Sequence, residues 1–199
     1  MYAYIIYHFG DNIKYLEYEL YFLCNLRKLT NHDIIYAYSV VDTPKKFIEI
    51  IKKLKLNIKF YMFSDDKITV NINKKFTSHY ERFNTLRTCN FIFTYLLGKY
   101  KKICVLESDM YITKSIDDIF NLKAPSAHYS HYSNKIFDYD RDYESNYKIK
   151  QTVKNCNNGS IINGGVLLIK PSKEMFNKYL KLIDRVISDG CLFPNESLF

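Results

Sequence analysis

Two carboxylates that follow an apolar run near the middle of the chain are the residues best suited to chemistry. Residues 103–106 are Ile-Cys-Val-Leu, and Glu107 and Asp109 follow with Ser108 between them. Carboxylate oxygens suit a hard divalent cation such as Mg²⁺ or Mn²⁺, which fills its other positions with water and substrate phosphates. The pair therefore indicates a metal and a phosphorylated substrate. A solvated turn or the start of a helix is the alternative interpretation.

The elements that must position this pair alternate between strands and helices. Apolar runs bounded by turn residues predict strands, and apolar residues at helical spacing predict helices. The predicted strands are 2–8, 33–41, 57–63, 102–106 and 161–169. The predicted helices are 13–29, 43–54, 78–97, 171–187 and a short one at 116–120. This alternation predicts an α/β fold with an open, mostly parallel sheet, in which ligands bind outside the carboxyl ends of the strands.

Three helix starts carry recognisable capping residues. Thr43 is expected as N-cap with Pro44 in the first turn, Ser78 and Glu81 have the spacing of a capping box, and Ser172 is expected to cap the last helix. Between 130 and 160 the periodicity fails, which predicts a long surface loop able to act as a lid. At 199 residues the chain is expected to form one domain, 1–199.

Charge and cysteine usage narrow the functional classes. The net charge is +8, but the lysines are scattered and form no run of five or more, so we expect solvent-facing lysines and no nucleic-acid partner.

The five cysteines are odd in number and form no C-x-x-C pair, which favours a reducing compartment. No signal peptide or membrane-length apolar run is visible, so a cytoplasmic location is expected. The chain also lacks G-x-G-x-x-G and P-loop motifs, which disfavours those two nucleotide-binding folds.

Four segments in the same order resemble glycosyltransferase family 8, the retaining nucleotide-sugar transferases that include glycogenin and the galactinol synthases. Phe83–Tyr95 is similar to the family's Y-S-K-L-R-x-W-E-F…Y helix, and Lys101–Leu122 to K-K-x-x-Y-L-D-A-D-x-x-V-x-x-x-I-D-D-L-F-x-L. Ile162–Ser172 resembles F-N-[AS]-G-V…x-P-S, and Asn195–Phe199 resembles D-Q-G-x-L-N more weakly. The matches extend over essentially the whole chain.

The resemblance implies a GT-A (Rossmann-like) fold, a UDP-sugar donor and a Mn²⁺ or Mg²⁺ ion that bridges the diphosphate. Glu107 and Asp109 would be the metal ligands of a DXD-like motif. Asn195 and Glu196 would stand where the family has its donor-sugar D-Q pair, with Glu196 acting as nucleophile or as a stabiliser of an oxocarbenium-like state. The donor-binding residues implied by the resemblance are Tyr7, Asp11, Arg87, Ser108, Asn163, Gly164 and Gly165.

Several of these residues have a purely structural interpretation beside the functional one. Arg87 could be a surface cation, Asn163 could sit in a bulge beside the glycines, and His8 and His79 are expected to be satisfied or solvent-facing imidazoles. Thr85 replaces a family lysine, so a phosphate contact is lost or is replaced by one from Arg82 or Arg87.

The family's later H-x-x-G-x-x-K-P-W segment, which would supply a third metal ligand and a phosphate-binding lysine, does not occur in the 199 residues. The chain is then a fragment, completes its site differently, or is weakly active. The leading hypothesis is a metal-dependent hexosyltransferase acting on an unidentified glycan, protein or small-molecule acceptor. The alternative is a non-catalytic nucleotide-sugar-binding or interaction module of the same fold.

Overall fold

A computed structural model of the chain describes residues 1–41, 43–64, 89–129 and 162–188. The strands are β1 (Tyr2–His8), β2 (Asp33–Ser39), β3 (Ile58–Phe63), β4 (Lys102–Leu106), β5 (Ser126–Tyr129) and β6 (Ile162–Ile169). The α-helices are α1 (Ile13–Leu29), α2 (Lys45–Lys53) and α3 (Lys173–Ser188). Two 3₁₀ helices cover Cys89–Leu96 and Asp117–Asn121.

All six strands form one sheet in the order β3-β2-β1-β4-β6-β5. The pairs β1–β2, β2–β3 and β1–β4 are parallel, whereas β6 runs antiparallel to both β4 and β5. The prediction of an open, mostly parallel α/β sheet is therefore confirmed.

Both faces of the sheet are covered, which explains why its central strands are almost continuously apolar. On one face Ala3, Ile5 and Val105 pack with the 3₁₀ helix Cys89–Leu96 and with α3. On the other face Tyr4 and Ile6 pack with α1, α2 and the 3₁₀ helix Asp117–Asn121. Alternate residues of each strand thus belong to different cores, as the two-residue period of a strand requires.

The capping residues expected at the helix starts are partly confirmed. Asn12, for which no cap was predicted, caps α1, since its side chain accepts a hydrogen bond from the amide of Lys14 at 3.0 Å. Ser172 caps α3 as predicted, accepting from the amide of Met175 at 3.2 Å. The prediction for α2 is wrong, because the helix begins one residue later, with Pro44 at the N-cap position and no side-chain capping bond.

Three further differences concern element type or length. β2 ends at Ser39 rather than 41, leaving Val40 and Val41 exposed. Residues 89–96 are a 3₁₀ helix rather than the end of an α-helix. The four-residue strand β5 was not predicted, because so short a segment is recognised only through its pairing with β6.

Two sequence predictions concern residues outside the described ranges, namely the capping box at 78–81 and the loop at 130–160. Among the helices that the structure describes, none combines the length and the apolar character needed to cross a membrane.

Candidate functional site

The order of the strands defines where a ligand can enter. From β1 the chain moves outward through β2 and β3, and it then returns to the opposite side of β1 as β4. Such a reversal leaves a crevice outside the carboxyl ends of the two central parallel strands. β1 and β4 are those strands here, paired in register through Ile5 and Val105.

The two carboxylates from the sequence analysis lie at this crevice. Glu107 follows the last residue of β4 directly, and Ser108 and Asp109 form a turn. The Glu107 and Asp109 side chains are exposed, and Ser108 is partly buried. The amide of Glu107 donates a hydrogen bond to the carbonyl oxygen of Gly165 at 3.0 Å. This bond fixes the start of the acidic turn against the neighbouring strand.

The Asn163–Gly164–Gly165 segment lies at the same edge. β6 is antiparallel to β4 and its last pair toward this edge joins Val166 to Leu106, so the three residues before Val166 extend past the carboxyl end of β4. The pairing of β6 with β5 is irregular here, shifting register between Ala127 and His128. Glycines at such an irregularity are typical of a place where a ligand approaches the backbone closely.

Tyr7 occupies the end of β1 beside this edge, and its hydroxyl group is engaged within the protein. It shares a hydrogen bond of 2.8 Å with the buried hydroxyl group of Thr94. Burial raises the pKa of the Tyr7 phenol well above its ordinary value, and the hydrogen bond to Thr94 opposes that shift without cancelling it. The ring also lies parallel to that of Phe9, with centroids 6.2 Å apart.

Asp11 lies in the loop between β1 and α1, where its side chain is exposed. Gly10 precedes it with a φ of 79°, a left-handed conformation that glycine adopts without steric cost. Asn12 ends the loop by capping α1. The loop therefore presents Asp11 to solvent at the carboxyl end of β1.

The loop is anchored by a buried group of three side chains. His8, Glu19 and Tyr36 are all buried, and each hydrogen-bonds within the group. The expectation that His8 is a satisfied imidazole is confirmed. Glu19 was missed by the sequence analysis, although a carboxylate between Leu16 and Leu23 on the apolar face of α1 was the signal available.

The remaining candidate residues lie outside the described ranges: Arg87, Asn195 and Glu196, together with His79. For Asn163 the backbone is described and the side chain is not. The structure therefore brings Tyr7, Asp11 and the acidic turn to one edge, with Gly164 and Gly165 beside them.

The side chains at this edge have the chemistry and the exposure that binding of a divalent cation requires. Glu107 and Asp109 offer two exposed carboxylates, and Mg²⁺ or Mn²⁺ is typically bound by one or two carboxylates plus substrate phosphates and water. Within the described part of the chain, no group of three or more His, Cys, Asp and Glu side chains is arranged to hold a metal ion. Glu107 and Asp109 would thus supply two carboxylates to a bound cation, and water and substrate phosphates would complete its coordination.

The sheet order, the two helical layers and the crevice at β1 and β4 define the GT-A fold, the Rossmann-like fold of glycosyltransferases. Solved structures agree with this assignment. The chain superposes on the glycosyltransferase GlyE of Streptococcus pneumoniae TIGR4 with a TM-score of 0.51 and 18% identity, over 98% of this chain and 41% of that one. It superposes on apo mouse xyloside xylosyltransferase 1 with a TM-score of 0.54 and 10% identity, over 96% and 74% of the two chains.

A third structure, the galactosyltransferase LgtC with donor and acceptor sugar analogues, matches with a TM-score of 0.50 and 15% identity, over 96% of this chain and 70% of that one. At these identities the likeness establishes the glycosyltransferase fold. The chain spans 41% of the length of the GlyE chain. No family model matches the sequence, and no curated protein matches it significantly.

Proposed function

We propose that the protein is a retaining glycosyltransferase of the family 8 type, which transfers a hexose from a UDP-sugar to an acceptor with the help of a divalent cation. The observation that carries the proposal is the exposed turn Glu107–Asp109 at the carboxyl end of β4, bonded through Glu107 to Gly165 of β6. It is the one place among the described residues where acidic side chains, a glycine-rich strand and the crevice of a GT-A fold coincide.

The proposed roles follow from position and chemistry. Glu107 and Asp109 would hold Mn²⁺ or Mg²⁺, which when bound supplies positive charge to the diphosphate of the leaving UDP. Asp11, exposed at the end of β1, would accept hydrogen bonds from the ribose hydroxyls. Gly164 and Gly165 would let the diphosphate or sugar approach the β6 backbone closely, since neither has a side chain.

The role of Tyr7 is narrower than the family resemblance implies. Its hydroxyl group already bonds to Thr94, so its contribution to the nucleotide would come from the ring. Stacking of Tyr7 on Phe9 gives an aromatic surface at the edge of the crevice, and a nucleobase can pack against such a surface. Arg87, Ser108 and Asn163 complete the proposed donor site.

Retention of configuration would depend on residues that follow α3. Asn195 and Glu196 would face the donor sugar, with Glu196 as nucleophile or as a stabiliser of the oxocarbenium-like state, in analogy to the carboxylate pairs of retaining glycosidases. A Glu196→Gln variant with unchanged turnover would remove Glu196 from the mechanism and leave the metal site unaffected.

Turnover by the purified 199-residue chain tests the proposal. UDP release from a panel of UDP-hexoses is measured with Mn²⁺ and with excess EDTA, and the product anomer is assigned by NMR. We expect EDTA and Asp109→Asn each to lower the rate by about 100-fold or more, because metal stabilisation of the leaving group is worth several kcal/mol.

The matched control is Asp118→Asn. Asp118 is exposed, and its 3₁₀ helix lies at the amino end of β4, where the Lys102 ammonium group donates to the Phe120 carbonyl oxygen at 2.7 Å. This edge is opposite the proposed site, so the control should retain its rate. Turnover insensitive to EDTA would contradict the metal role. Metal-dependent UDP binding without turnover of any donor would favour the binding-module alternative.

A further inference from the structure

The side chain of His8 connects the end of β1, the loop that follows it and the helix beyond. Its Nδ1 lies 2.7 and 2.9 Å from the two carboxylate oxygens of Glu19 in α1. Its Nε2 lies 2.9 Å from the carbonyl oxygen of Gly10. One buried ring therefore bridges α1 to the backbone of the β1–α1 loop.

The partner of Nε2 fixes one hydrogen of the ring. The carbonyl oxygen of Gly10 can only accept, so Nε2 donates to it. The Glu19 side chain accepts a hydrogen bond from the hydroxyl group of Tyr36 at 2.6 Å, and one proton is shared between Nδ1 and Glu19. The bond from Nε2 to Gly10 is the same whichever of the two partners carries that proton.

The other elements around His8 hold the ring in this orientation. Tyr36 of β2 lies against it with ring centroids 5.8 Å apart, and Phe47 of α2 meets it edge-on at 5.6 Å. Glu19 is itself buried and held by Tyr36. The hydrogen bond to Gly10 thus comes from a side chain that packing has already oriented.

Gly10 begins the loop in the left-handed conformation, with a φ of 79°. On its far side the chain is fixed again, because Asn12 caps α1. Asp11 lies between these two fixed points, with its side chain exposed at the carboxyl edge of β1. The residues on either side of Asp11 are therefore both held by hydrogen bonds, Gly10 from His8 and Asn12 through its cap on α1.

We propose that His8 is a positioning residue, whose link between Glu19 and the Gly10 carbonyl holds the β1–α1 loop so that Asp11 is preorganised for the nucleoside of the donor. The identity of the ligand in this inference rests on the proposed function. The hold of His8 on the loop rests on the hydrogen bonds alone. A loop that is already ordered favours binding, because ordering a loop on binding costs entropy and weakens the affinity.

Two variants, each able to retain one of the two hydrogen bonds of the ring, separate positioning from simple structural support. In His8→Gln the amide nitrogen can occupy the place of Nε2 and donate to Gly10. In His8→Asn the shorter side chain can place its amide nitrogen near Nδ1 and donate to Glu19, but it does not reach Gly10. Both variants replace the ring by a neutral amide. If the contact between His8 and Glu19 served stability alone, His8→Asn would be the better substitute, because it keeps a donor to Glu19.

Hydrogen–deuterium exchange of the peptide spanning 9–13 is the readout that needs no ligand, with the β2 peptide 33–39 as an internal reference. We expect His8→Asn to speed exchange of the loop amides by about tenfold or more and His8→Gln by less than about threefold. If the loss of the ring beside buried Glu19 unfolds the single variants, the same two variants are compared in a Glu19→Gln background. Equal exchange in the two variants, or faster exchange in His8→Gln, would overturn the proposal.

The affinity for UDP in the presence of Mn²⁺ is then measured for the same proteins by isothermal titration calorimetry. We expect about tenfold weaker binding in His8→Asn and near-normal binding in His8→Gln. Equal weakening in both would overturn the link to the nucleoside. If the two variants show the predicted exchange pattern but the wild-type protein binds no UDP, the proposed function is refuted and the hold of His8 on the loop is supported.

Discussion

The hydroxyl groups of Tyr7 and Thr94 lie 2.8 Å apart and join the end of β1 to the 3₁₀ helix Cys89–Leu96. Thr94 is fully buried, so its hydroxyl depends on this partner. The bond ties the chain that follows residues 65–88 to the central strand, at the edge where the crevice opens.

Removing this hydrogen bond should destabilise the protein without weakening nucleotide binding. We expect Tyr7→Phe to lower the free energy of unfolding by about 1–3 kcal/mol, because a buried hydroxyl loses its partner. Thr94→Val in the same background should cost little more, which gives a coupling energy of about 1 kcal/mol in a double-mutant cycle. Urea denaturation measures both. A loss of UDP affinity in Tyr7→Phe would instead mean that the hydroxyl group contacts the ligand.

The carboxylate of Asp33 at the start of β2 should give a pH-dependent contribution to stability. Burial favours the neutral form, but hydrogen bonds from Lys59 and Tyr100 and the charges of Lys59 and Lys99 outweigh it, so the pKa of Asp33 lies below its ordinary value. A lowered folded-state pKa stabilises the protein above the unfolded-state pKa. The stabilisation is lost as the pH falls through the folded-state pKa.

We therefore expect Asp33→Asn to cost about 1 kcal/mol near neutral pH, a value kept small because the Lys59 ammonium group is partly exposed. The difference from wild type should shrink steadily as the pH falls below about 4. Urea denaturation across this range is the measurement, with Glu49→Gln, an exposed charge on α2, as control. A cost independent of pH would contradict the ion-pair account.

Thiol reactivity should follow burial among the described cysteines. Cys104 is buried in β4, and burial raises the pKa of its thiol; Cys89 is also buried, whereas Cys24 is partly buried. Because the thiolate is the reactive form, we expect iodoacetamide to modify Cys24 first and to leave Cys104 unmodified until the chain unfolds. Peptide mapping by mass spectrometry, with a denatured sample as control, gives the order. Rapid labelling of Cys104 in the folded protein would contradict the packing of β4.

The elements predicted well from the sequence are those with a strong local pattern. β4 was predicted with its observed bounds because an apolar run lies between Lys102 and Glu107. α1 has buried residues at Leu16, Leu23 and Leu26 on one face, and its period alone identifies it. β4 also leads directly into the acidic turn, so the location of the candidate site followed from the sequence.

The elements predicted poorly depend on tertiary packing. Residues 89–95 are all buried, so the segment has no exposed face whose period would separate a 3₁₀ helix from an α-helix, and its 3₁₀ form was not foreseen. β5 exists through its pairing with β6. The network of His8, Glu19 and Tyr36 was not predictable as a unit, because its members come from three elements that only the fold brings together.

The central claim is that Glu107 and Asp109 bind UDP through a divalent cation, and a thermal-shift titration tests it most directly. Wild type, Asp109→Asn and the control Asp118→Asn are titrated with UDP, with and without Mn²⁺. Ligand at about 100 times its Kd stabilises a fold by roughly 2.7 kcal/mol, which raises the midpoint by about 5–10 °C for a chain of this size. We predict this shift in wild type and the control only with Mn²⁺, and its loss in Asp109→Asn. A shift of equal size in Asp109→Asn, or none in wild type under any condition, would contradict the account.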